Sequence, residues 1–190
     1  MRRADGSDMW IEAGLRELGR SGVEGVRVEV LAEGLGVTKG GFYRRFKDRR
    51  DLLDAILESW TRGRIAAVQE HGTRGGPGPR DRLESIVKIY SSRVSPKGMS
   101  IELAVRQWAR SDTAAAAAVA KVDAARLRVA EKIYREMGLA PKRARARALL
   151  LYAFVFGQSL ILLEQSPNER GRLTAACSEI LTEFSSRSES

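Results

Sequence analysis

Between Thr38 and Arg50 the chain reads Thr-Lys-Gly-Gly-Phe-Tyr-Arg-Arg-Phe-Lys-Asp-Arg-Arg. Of the twelve residues from Lys39 to Arg50, six are basic and one is acidic, a local charge of +5. Ammonium and guanidinium groups crowded in this way make and break no covalent bond; what they do well is attract phosphate. The concentration matters more than the whole-chain balance of +9. Residues 1–60 hold 11 basic and 11 acidic side chains, while residues 61–190 hold 22 against 13. The patch therefore stands out against a neutral background in its own part of the chain.

Other chemistry finds little support. His71 is the one histidine and lies in a glycine-rich stretch, so it reads as a surface residue without the partners that acid–base or metal work requires. Cys177 is the one cysteine, which excludes an intrachain disulfide and fits a reducing cytoplasm. Beside Ala175 and Ala176 it reads as a small packing residue. The glycines at 72–78 lack the lysine of a phosphate-cradling loop. These absences argue against an enzyme, a bound metal or a cofactor. The most apolar stretch, Ala148–Leu163, contains Tyr152, Gln158 and Ser159 and reads as a buried helix rather than a membrane span. The N-terminal arginines precede no apolar signal core, so the expected location is cytoplasmic.

The elements that must position the basic patch are helical. Asp8 can cap a helix carrying Trp10, Ile11, Leu15 and Leu18 at helical spacing, ended by the glycines of 19–25. Val28, Leu31, Ala32 and Leu35 form one face of a short second helix, and Thr38–Phe46 form a third. A longer helix begins near Asp48 with Leu52, Leu53, Ile56, Leu57 and Trp60 facing inward. His71–Pro79 reads as a loop. Further helices are expected over 81–94, 99–110, from Asp112 or Thr113 to Met137, from Pro141 to Gln165, and from about Glu169 to Phe184. No strand pattern and no fixed-period repeat occurs. The fold class is all-α, with about nine helices.

Val28–Phe46 has the parts of a helix-turn-helix. Ala32 is small enough for a close helix crossing. Gly36 suits a turn conformation that a Cβ resists, and Val37 can plug the inner side of that turn. Thr38 can cap the second helix and leave its N-terminus facing a phosphate. The run Leu31-Ala32, Gly36-Val37-Thr38-Lys39-Gly40, Tyr43 and Phe46, then Lys47-Asp48-Arg49 and Leu52-Leu53, resembles the TetR/AcrR family of transcriptional regulators over Trp10 to about Trp60. The resemblance implies a recognition helix in the major groove of double-stranded DNA. It implies DNA contacts by Thr38, Lys39, Gly40 and Tyr43, with Lys39 and Arg44 reaching base edges and Arg49 binding phosphate. Lys47 belongs to the same basic surface. Arg45 stands where the family often has histidine. Arg27 stands where it often has a capping Thr or Ser, trading a cap for a possible phosphate contact. Gly41 stands where a base-reading side chain is common, so Phe42 and Phe46 must hold this glycine-weakened helix in place.

The resemblance further implies a helix-turn-helix domain at 1–50, a helical effector-binding and dimerisation domain at 51–185, and a tail at 186–190. Trp60, Tyr90, Met99, Trp108, Tyr134, Phe154 and Gln158 are candidates to line a pocket for an unidentified small-molecule effector, with ordinary core as the alternative for each. Leu150, Ala153, Phe156, Gly157, Leu160 and Ile161, together with Leu173, Ala176, Cys177, Ile180 and Phe184, form two apolar stripes fit for a homodimer. The basic cluster Lys142, Arg143, Arg145 and Arg147 reads as a solvated helix start, an anion site or an interchain ion-pairing surface. The function expected is a sequence-specific regulator, usually a ligand-responsive repressor, working as a homodimer on a palindromic operator. The alternative is a small helical enzyme or binding module with a merely architectural helix-turn-helix.

Overall fold

The computed structural model describes residues 6–74, 76–91, 96–161 and 166–183. Those residues form nine helices and no strand: α1 (Gly6–Gly25), α2 (Val28–Leu35), α3 (Lys39–Tyr43), α4 (Arg49–Arg74), α5 (Pro79–Ser91), α6 (Pro96–Trp108), α7 (Thr113–Glu136), α8 (Pro141–Leu160) and α9 (Pro167–Thr182). The chain divides into two compact units, Met1–Arg64 with Ser95–Val122 and Ile65–Val94 with Asp123–Ser190. No helix among the described residues is long and apolar enough to cross a membrane.

In the first unit, α1 buries Trp10, Ala13, Gly14 and Leu18. Gly14 lets α4 approach so closely that a Cβ there would collide with the Ile56 side chain. The glycines of 19–25 do not end α1 together. The backbone leaves helical geometry at Gly22 (φ 71°), within bounds that run on to Gly25. Gly19 is a packing glycine, since a Cβ there would lie 2.8 Å from the Ile101 side chain of α6. From α4, Leu52, Leu53, Ile56, Leu57 and Trp60 are buried, as their spacing predicts. Asp112 caps α7 by accepting from the Ala115 N–H at 2.9 Å. It also pairs with Arg50, 2.5 Å away, which holds the Asp112 carboxyl below the usual carboxylate range.

The second unit centres on Leu83, Ile86, Val87, Ala130, Ile133, Tyr134, Ala148, Leu151, Tyr152 and Val155. Here α4 continues through His71 to Arg74, so the expected loop begins later than its glycines suggest. Gly72 is again a contact glycine, where a Cβ would meet Val129 of α7 at 2.5 Å. Gly138, at φ 94°, follows the end of α7. Ser166 and Glu169 form a reciprocal capping box that starts α9 at Pro167, two residues before the expected start. Leu163, Gln165 and Phe184 lie outside the described residues.

Candidate nucleic-acid interface

The helix-turn-helix is built by backbone geometry at one glycine. Gly36 takes the left-handed conformation (φ 65°, ψ 31°), and the N–H groups of Gly36 and Val37 close α2 onto Glu33 O and Ala32 O, each at 3.0 Å. Val37 is partly exposed rather than a plug for the turn. Thr38 occupies the N-cap position of α3 in extended geometry, but its side chain makes no capping bond; its carbonyl accepts from the Gly41 N–H at 2.9 Å. The hydroxyl expected to cap the helix is thus left at the exposed surface.

Helix α3 has only five residues, far too few to persist alone. Aromatic packing holds it. Phe42 and Phe46 are buried and stacked with centroids 5.4 Å apart, and Phe42 meets the edge of Trp10 at 5.3 Å. With those rings inward, Lys39, Gly40, Tyr43, Arg44, Arg45 and Lys47 are exposed, and so is Arg27 at the N-cap of α2. A Cβ at Gly41 would meet nothing within 4 Å, so the helix surface there is smooth and open to close approach.

The cations differ in what they already hold. Arg45 donates to Gly41 O at 3.2 Å and lies against Gly6. Lys39 pairs with Glu29 of α2 at 2.9 Å. Arg49 is half-buried and donates to Val26 O and Val23 O at 2.6 and 2.5 Å, fastening the start of α4 to the end of α1. Its guanidinium is spent largely on carbonyls, so its first role is positioning. Two partners escaped the sequence reading: Glu29, ten residues before Lys39, and Asp112 as the partner of Arg50. Neither pairing leaves a signal without the tertiary fold.

The candidate pocket residues fall in both units. Trp60 and Trp108 are buried in the first, where Met99 is partly buried. The Trp60 indole N–H has no acceptor among the described residues. In the second unit Tyr134 is buried and donates to Leu181 O at 2.9 Å, tying α7 to the end of α9. Burial pushes its phenol up to about 12. Its hydroxyl is thereby engaged within the core. Phe154 packs against the same core, Gln158 is partly buried, and the Tyr90 side chain lies outside the described residues. Arg147 of the basic cluster donates to the carbonyls of Ile180, Leu181 and Glu183, the last turn of α9 and the residue beyond it. Lys142, Arg143 and Arg145 are exposed.

Of the dimer candidates, Leu150, Leu160, Ile161, Leu173 and Ile180 are exposed, Ile180 to 71%. Ala153 and Ala176 are exposed, and Gly157 and Cys177 are partly buried. Phe156 instead turns toward its own unit, stacked on Tyr152 at 6.2 Å with the Arg126 guanidinium 5.1 Å from its ring centre.

A short helix held by aromatic packing, behind a glycine turn and carrying exposed cations, forms a helix-turn-helix, the element that other proteins dock in the major groove of DNA. Residues 11–56 match the family model "Bacterial regulatory proteins, tetR family". None of the curated proteins matches the chain in sequence. Solved structures share its fold along nearly the whole length. One from Rhodococcus sp., described as a TetR-family transcriptional regulator, has 23% identity and a TM-score of 0.73, covering 93% of this chain and 98% of that one. Reduced NemR from E. coli has 17% identity and a TM-score of 0.75, with 93% and 97% covered. A TetR transcriptional regulator from Legionella pneumophila has 9% identity and a TM-score of 0.72, with 96% and 97% covered. Over residues 11–56 the chain is thus similar to the tetR family of bacterial regulatory proteins, and over nearly its whole length it shares the fold of those solved structures.

Proposed function

We propose that the protein is a cytoplasmic, ligand-responsive repressor that binds a palindromic operator as a homodimer. The observation that carries this reading is the pair of exposed apolar stripes on α8 and α9: Leu149, Leu150, Leu160 and Ile161 on one, Leu173 and Ile180 on the other. Exposed aliphatic side chains at helical spacing on adjacent helices favour a second copy of the same hairpin about a two-fold axis. That axis would set two recognition helices about 34–36 Å apart, in successive major grooves. In each subunit Thr38, Tyr43, Arg45 and Lys47 would hold phosphates, with Arg27 beside them. Lys39 and Arg44 would reach base edges, Gly40 would permit close approach, and Arg49 would brace the start of α4 with one face left for phosphate. Residues 1–50 are the DNA-reading part and 51–185 the effector and dimer part in this functional division.

An effector would act by preferring an arrangement with a different spacing of the recognition helices, and only to the extent of its differential affinity. The buried Trp60 N–H supports a ligand with a carbonyl-like acceptor, because an unmet buried donor costs about 1–3 kcal/mol. The test is a gel shift with DNA flanking the coding region, combined with light scattering. The expected result is a specific complex holding two chains of 21.0 kDa. A wild-type monomer that still binds one full palindromic site tightly would overturn the reading.

A further inference from the structure

Glu29 sits in the first turn of α2 and Lys39 opens α3. The Glu29 carboxylate and the Lys39 ammonium are 2.9 Å apart, with side chains 60% and 57% exposed. An ion pair so exposed contributes little to folding, and neither side chain is part of the core. Lys39 is nevertheless a cation on the surface proposed to meet DNA, and in the free protein it already holds an anion. Its hydrogen bond and charge keep the Glu29 carboxyl below the ordinary carboxylate range.

The consequence depends on what approaches. A lysine ammonium has three donors, so it can keep Glu29 and still donate to a neutral acceptor such as O6 or N7 of guanine. A phosphate is itself an anion, and Glu29 repels it. We propose that Glu29 is a specificity-determining residue of the DNA surface, holding Lys39 back from sequence-independent phosphate binding while leaving it able to read a base edge. The inference rests on α3 being the DNA-reading helix.

The experiment compares the full-length wild type with Glu29→Gln, Glu33→Gln and Lys39→Gln and the double variant Glu29→Gln/Lys39→Gln. Each is titrated with short random-sequence duplexes across a salt series, and binding motifs are selected from the same pool. Glu33→Gln removes the same charge from the same helix and serves as the control for net charge. Circular dichroism confirms that the helices are retained. Glu29→Gln should bind random duplexes about tenfold tighter near 0.1 M salt and steepen the salt slope by about one unit per contacting subunit. It should also select a less informative motif. Lys39→Gln should leave the random-duplex slope nearly unchanged alone, and remove the gain in the double variant. Equal effects of Glu29→Gln and Glu33→Gln, or a full unit lost on Lys39→Gln alone, would overturn the inference. Lys47→Ala, at a cation proposed to hold phosphate, separates the two levels. If it too leaves binding unchanged, the DNA reading of α3 falls with the inference; if it weakens binding while Glu29→Gln changes nothing, only the inference falls.

Discussion

The two ends of the chain solve opposite problems with similar helices. Around α3 the aromatic rings of Phe42, Phe46 and Trp10 are buried, and what faces out, apart from Val37 and the Tyr43 ring, is charged, polar or glycine. Along α8 and α9 large aliphatic side chains face out, while Leu151, Tyr152 and Val155 fill the core on the other side of α8. One surface is cationic, as the proposed contact with a polyanion requires; the other is an apolar face of a kind that monomers rarely leave open. The lesson is that a helix interior can be satisfied while its exterior is not, and that the character of the unsatisfied part, cationic or apolar, names the partner.

The comparison breaks most sharply at the apolar face. Leu160→Asp, at a side chain 65% exposed, should leave the helical content intact and convert the proposed dimer to monomers. Losing the second half-site should then weaken operator binding by about 100- to 10,000-fold, the advantage that linking two sites confers. Sedimentation together with gel shift checks this; a dimer that persists with full affinity would show that the stripe is not the interface. At the opposite end, Phe42→Ala empties the packing under α3 and should cost about 3–5 kcal/mol. Its DNA binding should fail because the unit loosens, seen as a lower midpoint in thermal melts, whereas Leu160→Asp fails with its core unchanged.

A smaller effect sharpens the account of the second unit. The Tyr134 phenol lies at about 12 in the folded chain against 10.0 for its ordinary value, because burial disfavours the phenolate. A group whose folded value is raised lends stability below the unfolded value, and that stability is lost as pH climbs through the folded one. The wild type should therefore lose stability progressively between about pH 10 and 12. Tyr134→Phe should be less stable at neutral pH, having lost the bond to Leu181 O, and should show a flatter alkaline decline. Denaturant melts at several pH values read both; an identical alkaline slope in the two proteins would refute the assignment.

The legibility of the sequence follows the same division. The helix-turn-helix was readable because its positions are chemically demanding: Gly36 must take a left-handed conformation, Ala32 must be small, and Phe42 must be large. The glycines at 19 and 72 misled for the converse reason. They look like helix breakers, but each occupies a close helix crossing, against Ile101 and Val129, and tertiary packing outweighs a propensity cost of roughly 1 kcal/mol. Thr38 carried a strong capping signal, yet its hydroxyl makes no cap, because residue type permits a bond without fixing a rotamer. Arg49 reads as a phosphate ligand from its place at the start of α4, but its bonds to two carbonyls, of the segment joining α1 to α2 and of the last turn of α1, have no counterpart in the sequence pattern. Pairings such as Lys39 with Glu29 and Arg50 with Asp112 depend on folded geometry that spacing along the chain does not encode.

The central claim is that the exposed cations around α3 grip DNA phosphates. The salt dependence of binding to a random duplex, measured by fluorescence anisotropy for the wild type and for Arg45→Ala/Lys47→Ala, tests it most directly. Both residues are exposed, so the double variant should keep its fold. The account predicts weaker binding with a salt slope flatter by about two units per contacting subunit, one for each cation removed. An unchanged affinity and an unchanged slope would contradict it and move the DNA surface elsewhere on the molecule.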